Sequence, residues 1–240
     1  MIYAFGDLHG MLEVYKLASD NFPEGKTLTK NDYVIILGDF GFHFNPVKSK
    51  TEIHWLEWLA TRNWTTLFVD GNHENHNILD SLETTEMFGG IVGLAGLNKA
   101  DSIYHLKRGE IYTIDNKKIF TMGGAYSVDK ANRTPDVSWW AREQPSFEEC
   151  EYAISNLEKH DWTVDIILTH TGPSEALLPL IIKYAENKMY GNKLVKDSTV
   201  DFHDMVYDKV TYDKWRMGHM HEDVTIGKVR CLYNDYELLT

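Results

Sequence analysis

The sequence has few cysteines and no long apolar run. Cys150 and Cys231 are the only two cysteines in 240 residues. Cys150 falls on the apolar stripe of a predicted helix, so we expect a buried, reduced thiol there rather than a disulfide. No apolar run approaches the roughly 18 residues that span a bilayer, and Met1–Phe5 lacks a basic leader and a cleavage site. These absences predict a cytoplasmic protein that does not use a membrane as its partner.

The sequence is also short of basic residues. Lys and Arg number 24 against 36 Asp and Glu, which gives a formal net charge of −12. A protein that binds long nucleic acid needs a basic surface to displace counterions, so this composition disfavours long nucleic acid as a partner. A small substrate is favoured instead.

Linkers rich in Pro or in Ser and Gly are missing as well, and 43% of the residues are hydrophobic. This content is enough for a large core, so we expect residues 1–240 to form a single α/β domain. Four apolar runs are typical of buried strands, namely Met1–Phe5, Tyr33–Leu37, Thr66–Val69 and Val164–Leu168. Strands that alternate with helices predict a parallel sheet, with ligands gathered beyond the carboxyl ends of its strands.

The other predicted elements are helices and hairpins. We expect a helix through Leu12, Tyr15 and Leu17, and two helices with capping boxes that begin after Ser49 and Ser146. The second capped helix carries an apolar stripe of Phe147, Cys150, Ala153, Ile154 and Leu157. Two further helices are predicted from Glu175 to about Asn187 and from Ser198 to about Val210. Hairpins are predicted over 112–120 and 224–232.

Five short polar motifs follow strand ends or stand near the C-terminus. They are Gly6-Asp7-Leu8-His9-Gly10, Gly38-Asp39, Gly71-Asn72-His73-Glu74, Thr169-His170 and Gly218-His219-Met220-His221. Each motif alone is weak, since an isolated Asp most often caps a helix and Gly-Asn most often forms a turn. Together they supply two Asp, one Asn and four His as metal ligands, and one further His for proton transfer. This set suits two divalent cations that share a carboxylate.

The order of these motifs resembles that of the calcineurin-like metallophosphoesterase superfamily, and the resemblance runs from Gly6 to His221. It implies a four-layer α/β/β/α sandwich of two mixed sheets flanked by helices. It also implies metal-dependent hydrolysis of a phosphoester by a hydroxide that bridges two divalent metal ions. Mn or Fe fits the mixed ligand set best, and Zn or Ni also fits.

The resemblance assigns a role to each motif residue. Asp7, His9 and His221 would hold the first metal, Asn72, His170 and His219 the second, and Asp39 would bridge both. His73 would protonate the leaving oxygen as general acid. The remaining histidines are expected to be structural or on the surface: His54, His76, His105, His160 and His203.

The motifs are closest to the branch of protein Ser/Thr phosphatases and diadenosine tetraphosphatases, but they depart from it. Phe42 stands where an Asp would pair with the general acid, His43 where an Arg would bind phosphate, and Asp70 where a second Arg would precede Gly71. Phosphate must therefore be bound by other residues. The candidates for phosphate binding are His43 itself and, in the polar loop over 123–133, Lys130 or Arg133. Ser127 or Asn132 of the same loop would contact the rest of the substrate.

Several functions remain open from the sequence. The leading one is hydrolysis of small phosphomonoesters or phosphodiesters, nucleotides among them. Trp139, Trp140 and the three phenylalanines Phe40, Phe42 and Phe44 could stack a base, although such pairs are more often core. The alternatives are a protein Ser/Thr phosphatase, which the missing arginines disfavour, a nuclease, which the acidic charge disfavours, and a catalytically silent binding scaffold of the same fold.

Overall fold

The computed structural model describes residues 1–186 and 197–240, and in these residues the strands form two sheets. The first sheet has the spatial order β13 (Tyr236–Leu238), β1 (Ile2–Phe5), β2 (Tyr33–Leu37), β3 (Thr65–Val69), β6 (Ile103–Leu106), β5 (Gly90–Leu94) and β4 (Thr84–Met87). From β1 to β6 the neighbouring strands are parallel, and the outer strands pair antiparallel.

The second sheet has the order β11 (Val224–Ile226), β12 (Val229–Cys231), β10 (Lys214–Met217), β9 (Ile166–Thr169), β8 (Lys117–Met122) and β7 (Ile111–Ile114). Its four central strands are parallel, and an antiparallel hairpin forms each edge. Both sheets are thus mixed, as expected. The predicted hairpins are confirmed, and Asp115 and Asn116 turn the first one with positive φ.

Five α-helices lie among the described residues: α1 (Lys50–Ala60), α2 (His76–Ser81), α3 (Phe147–Lys159), α4 (Ser174–Glu186) and α5 (Ser198–Lys209). The capping boxes predicted at Ser49 and Ser146 are both present. The end predicted for α4 at about Asn187 lies outside the described residues. No helix in the described part of the chain is long and apolar enough to cross a membrane.

Alternation of side chains along the strands creates the layers. Ile35 and Leu37 of β2 pack into the core between the two sheets, whereas Val34 and Ile36 pack with α1 on the outer face of the first sheet. On the outer face of the second sheet, apolar side chains of β8, β9 and β10 pack against α3, α4 and α5. Helices therefore cover both outer faces, and the four-layer α/β/β/α sandwich is confirmed.

The prediction of a helix through Leu12, Tyr15 and Leu17 is wrong. Two short 3₁₀ turns, Gly10–Leu12 and Val14–Leu17, replace it. Glu13 between them has φ −129° and ψ 5°, which interrupts any helix. Leu12 and Tyr15 are consequently exposed. In α3 the predicted apolar stripe is buried at Ala153 and Leu157, whereas Cys150 and Ile154 are only partly buried and Phe147 in the first turn is exposed.

Five strands were not anticipated from the sequence: β4, β5, β6, β10 and β13. They are three to five residues long. Several carry charged or small residues, for example Lys214 and Arg216 in β10, and so lack the apolar runs used for prediction. Their pairing with neighbouring strands, rather than local composition, determines their conformation.

A buried ion pair connects the end of β3 to the loop between β6 and β7. The Asp70 carboxylate accepts hydrogen bonds from Arg108 at 2.6 and 2.9 Å and from His105 at 3.1 Å, and all three residues are buried. Burial acts to raise the pKa of Asp70, but Arg108 and His105 outweigh it and hold that pKa well below its usual value. Arg108 also donates to the Arg142 and Glu143 carbonyls, and so fixes the segment that follows β8.

We expect Arg108→Met to lower the free energy of unfolding by about 3–5 kcal/mol, because it leaves the buried Asp70 carboxylate without its main partner. Arg142→Met is the matched control, since the Arg142 side chain is 48% exposed and its ion pairs lie in solvent. The Arg142→Met substitution should lower the free energy of unfolding by less than about 1 kcal/mol. Urea titration of both variants measures the difference, and equal destabilisation would contradict a special contribution from the buried pair.

Candidate active site

The predicted ligands converge where the parallel strands of both sheets end. Asp7 follows β1, Asp39 follows β2, and His170 follows β9, and all three side chains are buried. Ligand atoms of Asp7, Asp39 and His170 lie within 4.8 Å of one another. One edge of the sandwich therefore holds two carboxylates at short range, an arrangement that costs free energy unless a positive charge lies between them.

A second group shares Asp7 with the first. Ligand atoms of Asp7, His9 and His221 also lie within 4.8 Å of one another. The His221 Nε2 atom lies 3.0 Å from Asp7 Oδ2, and the rings of His9 and His221 meet edge to face at 4.9 Å. The Asp7 Oδ2 atom is buried, and among the described residues it has this imidazole contact but no hydrogen bond of good geometry, which suits an oxygen that shares a cation with His221.

Asp39 lies between the two groups of histidines. Its Oδ2 is 3.2 Å from His9 Nε2, and its Oδ1 is 3.6 Å from His170 Nε2. The His170 Nδ1 donates a hydrogen bond to the Leu37 carbonyl, which directs Nε2 towards Asp39 and towards Asn72 Oδ1 at 3.0 Å. This is the position that a bridging carboxylate requires.

The Gly218–His221 motif forms a turn rather than an extended segment. His219 has φ 65° and His221 has φ 49°. The turn places the His219 ring 4.9 Å from His170, whereas the His221 ring lies beside His9. The two histidines thus reach different groups, as the predicted assignment of one to each metal requires.

Four predicted ligands have left-handed backbone conformations: His9, Asp39, His219 and His221, with φ between 45° and 65°. This region costs residues other than glycine of order 1–3 kcal/mol each. Such a concentration of strain at one site is typical of functional centres, where the surrounding structure holds side chains in place.

Glycines in the motifs permit close approach to the carboxylates. A Cβ atom at Gly71 would lie 2.1 Å from Asp39 Oδ1, and one at Gly218 would lie 2.1 Å from Asp7 Oδ1. The neighbouring amides make use of this proximity, since the His73 N–H donates to Asp39 Oδ1 at 2.8 Å and the His219 N–H donates to Asp7 Oδ1 at 2.9 Å. Any larger residue would push these carboxylates out of place.

The electrostatics of the cluster suit cations. Burial acts to raise the pKa of Asp39, but the His170 and His9 rings outweigh it and keep that pKa below its usual range. Burial acts to lower the pKa of His9, yet the Asp39 carboxylate raises it to about 9. A divalent cation would replace this proton on His9, since ligating imidazoles must be neutral. Carboxylates, imidazoles and one amide oxygen form a donor set that fits Mn, Fe, Zn or Ni.

Residues around the cluster that sequence reasoning missed support the predicted ligands. The His9 Nδ1 donates to Glu13 Oε2 at 2.7 Å, and the Tyr233 ring stacks on His221 at 4.5 Å between centroids. The buried Lys16 ammonium donates to the Asp7 carbonyl and lies 3.9 Å from the Tyr233 centroid. The i, i+4 spacing of His9 and Glu13 was a signal in the sequence, but Tyr233 gave none.

Ser127 has a different role from the expected one. It is 3% exposed, and its hydroxyl accepts a hydrogen bond from Asn72 Nδ2 at 2.9 Å. This bond fixes the amide of Asn72 so that Oδ1 faces His170. Ser127 therefore orients a predicted ligand and has little surface for a substrate, while Asn132 is exposed.

Arg133 is the loop residue that reaches His73. Its Nη2 donates to His73 Nε2 across 3.4 Å, and Asp129 Oδ1 and the Ser138 carbonyl hold the guanidinium. Burial first, and then Arg133, keep the pKa of His73 below its usual value, although Asp39 raises it. A phosphate dianion between the two side chains would attract both donors and raise that pKa.

The two other substrate-binding candidates lie elsewhere. The Lys130 ammonium lies over the Tyr126 ring, 4.2 Å from its centroid. His43 is 1% exposed, with Nε2 donating to the Ala95 carbonyl and Nδ1 accepting from Lys48. A ring so buried has no free surface for phosphate.

Most of the aromatic residues near the motifs belong to the core. Phe40 stacks on Phe68 at 4.2 Å, Phe42 packs edge to face on Phe40, and Trp140 is 2% exposed. Phe44 alone of the three phenylalanines is partly exposed, and its ring packs edge to face on Trp140. Among the other histidines, His76, His105 and His203 are buried, as expected for structural residues.

We expect Glu13→Gln to weaken divalent-metal binding about 10- to 100-fold, because the carboxylate that orients the His9 ring is lost. Glu24→Gln is the matched control, since Glu24 accepts a hydrogen bond from Tyr236 away from the cluster. Isothermal titration with Mn²⁺ measures both affinities. If the two variants bind Mn²⁺ as tightly as the unaltered protein, Glu13 does not support His9 as a ligand.

The comparison with protein families agrees with this geometry. No curated protein matches the sequence. The family described as calcineurin-like phosphoesterase matches residues 1–223, a range that contains all five motifs. Since the match covers most of the chain and the motif residues converge at one edge of the sandwich, the protein belongs to the calcineurin-like phosphoesterase family.

Proposed function

We propose that the protein hydrolyses small phosphomonoesters or phosphodiesters, nucleotides among them, with the help of two divalent cations. The position of Asp39 carries this proposal, because its two oxygens face one imidazole from each group of histidines. The residues that would hold the cations are Asp7, His9 and His221 for one, Asn72, His170 and His219 for the other, and Asp39 for both.

The cations, when bound, would acidify a water molecule and neutralise the charge of the phosphate. Mn or Fe is the proposed pair, because imidazole and carboxylate ligands occur together, and Zn or Ni would also fit. The cluster contributes only two buried carboxylates, so two divalent cations leave an excess of positive charge that favours an anionic substrate.

Two side chains would act on the substrate directly. Arg133 would bind a phosphate oxygen, since Asp129 and Ser138 hold its guanidinium beside the cluster. His73 would protonate the leaving oxygen, because its Nε2 faces the same space and its backbone is fixed on Asp39. Hydrolysis breaks the bond between phosphorus and the alcohol oxygen, adds the oxygen of water to phosphorus, and returns a proton to the alcohol.

We also propose that residues 1–240 act as one domain and that the protein works in a reducing compartment. Both sheets supply residues to the cluster, which supports residues 1–240 acting as one domain. Cys150 and Cys231 are free thiols, which supports a reducing compartment such as the cytoplasm.

The first experiment compares p-nitrophenyl phosphate, bis-p-nitrophenyl phosphate and an alkyl phosphate, each with Mn²⁺. We expect Asp39→Asn to lower all activities at least about 100-fold, since it removes the shared carboxylate. We expect His73→Asn to lower alkyl phosphate hydrolysis about 10²- to 10⁴-fold but to spare the p-nitrophenyl esters, because p-nitrophenolate leaves without a proton.

Equal activity of Asp39→Asn and the unaltered protein would refute the shared-metal mechanism. Binding of Mn²⁺ without hydrolysis of any ester would favour the scaffold alternative. A preference for the diester over the monoester would identify a phosphodiesterase, and the reverse would identify a phosphatase.

A matched pair of variants tests which of the two loop cations, Arg133 or Lys130, binds the phosphate. We expect Arg133→Met to lower kcat/KM about 10- to 100-fold, the value of a hydrogen bond to a charged group. Lys130→Met should change kcat/KM little, because its ammonium lies over the Tyr126 ring. Steady-state kinetics of both variants decide the matter, and a larger loss in Lys130→Met would reverse the assignment.

A further inference from the structure

An open groove of about 280 Å³ adjoins the proposed catalytic groups. His9, His73 and Arg133 contribute to its lining. Small-molecule sites in proteins commonly measure about 300–1,000 Å³, so this groove is at the small end of that range. Its volume suits one organic group of modest size.

The groove adjoins the residue that would protonate the leaving alcohol. His73 is the proposed proton donor to that alcohol, and its ring belongs to the groove wall. A phosphate placed between Arg133 and the cluster would thus direct its ester oxygen towards His73, with the rest of the alcohol in the groove.

The walls of the groove combine apolar surface with neutral polar groups. Met11, which is 59% exposed, and the partly exposed Phe44 supply the apolar surface. Trp140 packs against Phe44 at 5.4 Å between ring centroids and supports its ring. Asn45 and Thr51 add an amide and a hydroxyl to the lining.

The lining contains one carboxylate, and its hydrogen-bonding capacity is already used within the protein. Glu52 accepts hydrogen bonds from the backbone N–H groups of Phe44, Asn45 and Ser49 and from Asn45 Nδ2. With its lone pairs engaged, this carboxylate offers little to a cationic group such as an amine. An uncharged alcohol with a flat apolar face and a polar edge matches these walls best.

We propose, resting on the phosphoesterase function proposed above, that this groove binds the leaving alcohol of the substrate and that the alcohol is a nucleoside. The base would lie against Phe44 and Met11, and its polar edge would meet Asn45 and Thr51. The substrate class is accordingly nucleoside monophosphates, and the groove residues determine specificity rather than chemistry.

The test compares adenosine 5′-monophosphate with glycerol 2-phosphate as substrates of the Mn²⁺-loaded protein. We expect kcat/KM to be at least about tenfold higher for the nucleotide, and Met11→Ala and Phe44→Leu each to reduce this ratio about fivefold through lost apolar contact. Leu12→Ala is the control for Met11→Ala, because Leu12 is the next residue in the chain, is 70% exposed and does not line the groove.

Binding of adenosine to the metal-free protein, followed by saturation-transfer NMR, provides a readout that needs neither metal nor catalysis. Adenosine binding that weakens in Met11→Ala and Phe44→Leu but not in Leu12→Ala supports the groove, even if no ester is hydrolysed and the proposed function fails. Hydrolysis without preference for the nucleotide, together with absence of adenosine binding, overturns the groove proposal and leaves the phosphoesterase function intact.

Discussion

The close approach of two buried carboxylates, Asp7 and Asp39, is the constraint on which the rest of the site depends. Charges of like sign in a buried environment repel, and the His9, His170 and His221 rings lie within 4 Å of these carboxylates and offset the repulsion. Divalent cations, when bound, would take over this role. The fold accepts the conflict because the carboxyl ends of β1 and β2 are adjacent in a parallel pair, which leaves these side chains no separate places to go.

The backbone around the carboxylates is built to hold them there. Left-handed conformations at four predicted ligands store strain, and Gly71 and Gly218 remove the Cβ atoms that would collide with the two carboxylates. Strain of this kind persists only in a rigid frame. The strand cores on both sides of each sheet provide that frame, and the buried Asp70–Arg108 pair ties the loop after β3 to the segment that carries Arg133.

The substrate side of the site is assembled from segments distant in sequence. Arg133 comes from the loop after β8, whereas the groove beside His73 is formed by the first 3₁₀ turn and by the residues leading into α1. Arg133 places a guanidinium beside His73. The two positions where the related branch has arginines are occupied in this chain by His43 and Asp70. Ser127 and Arg133 belong to the same loop, so a shift of this loop would alter both the contact of Arg133 with His73 and the hydrogen bond that orients Asn72.

Local sequence determined the capped helices α1 and α3 and the apolar strands β1, β2, β3 and β9, since each depends on side chains a few residues apart, and it contains the predicted ligands in five short motifs. Tertiary structure decided the rest. Strand β10 forms because its neighbours pair with it, and Glu13 interrupts a helix while its carboxylate holds His9. Ser127 turned out to orient Asn72, and His43 to be buried beside Ala95, because contacts between residues more than 50 positions apart outweigh any local preference.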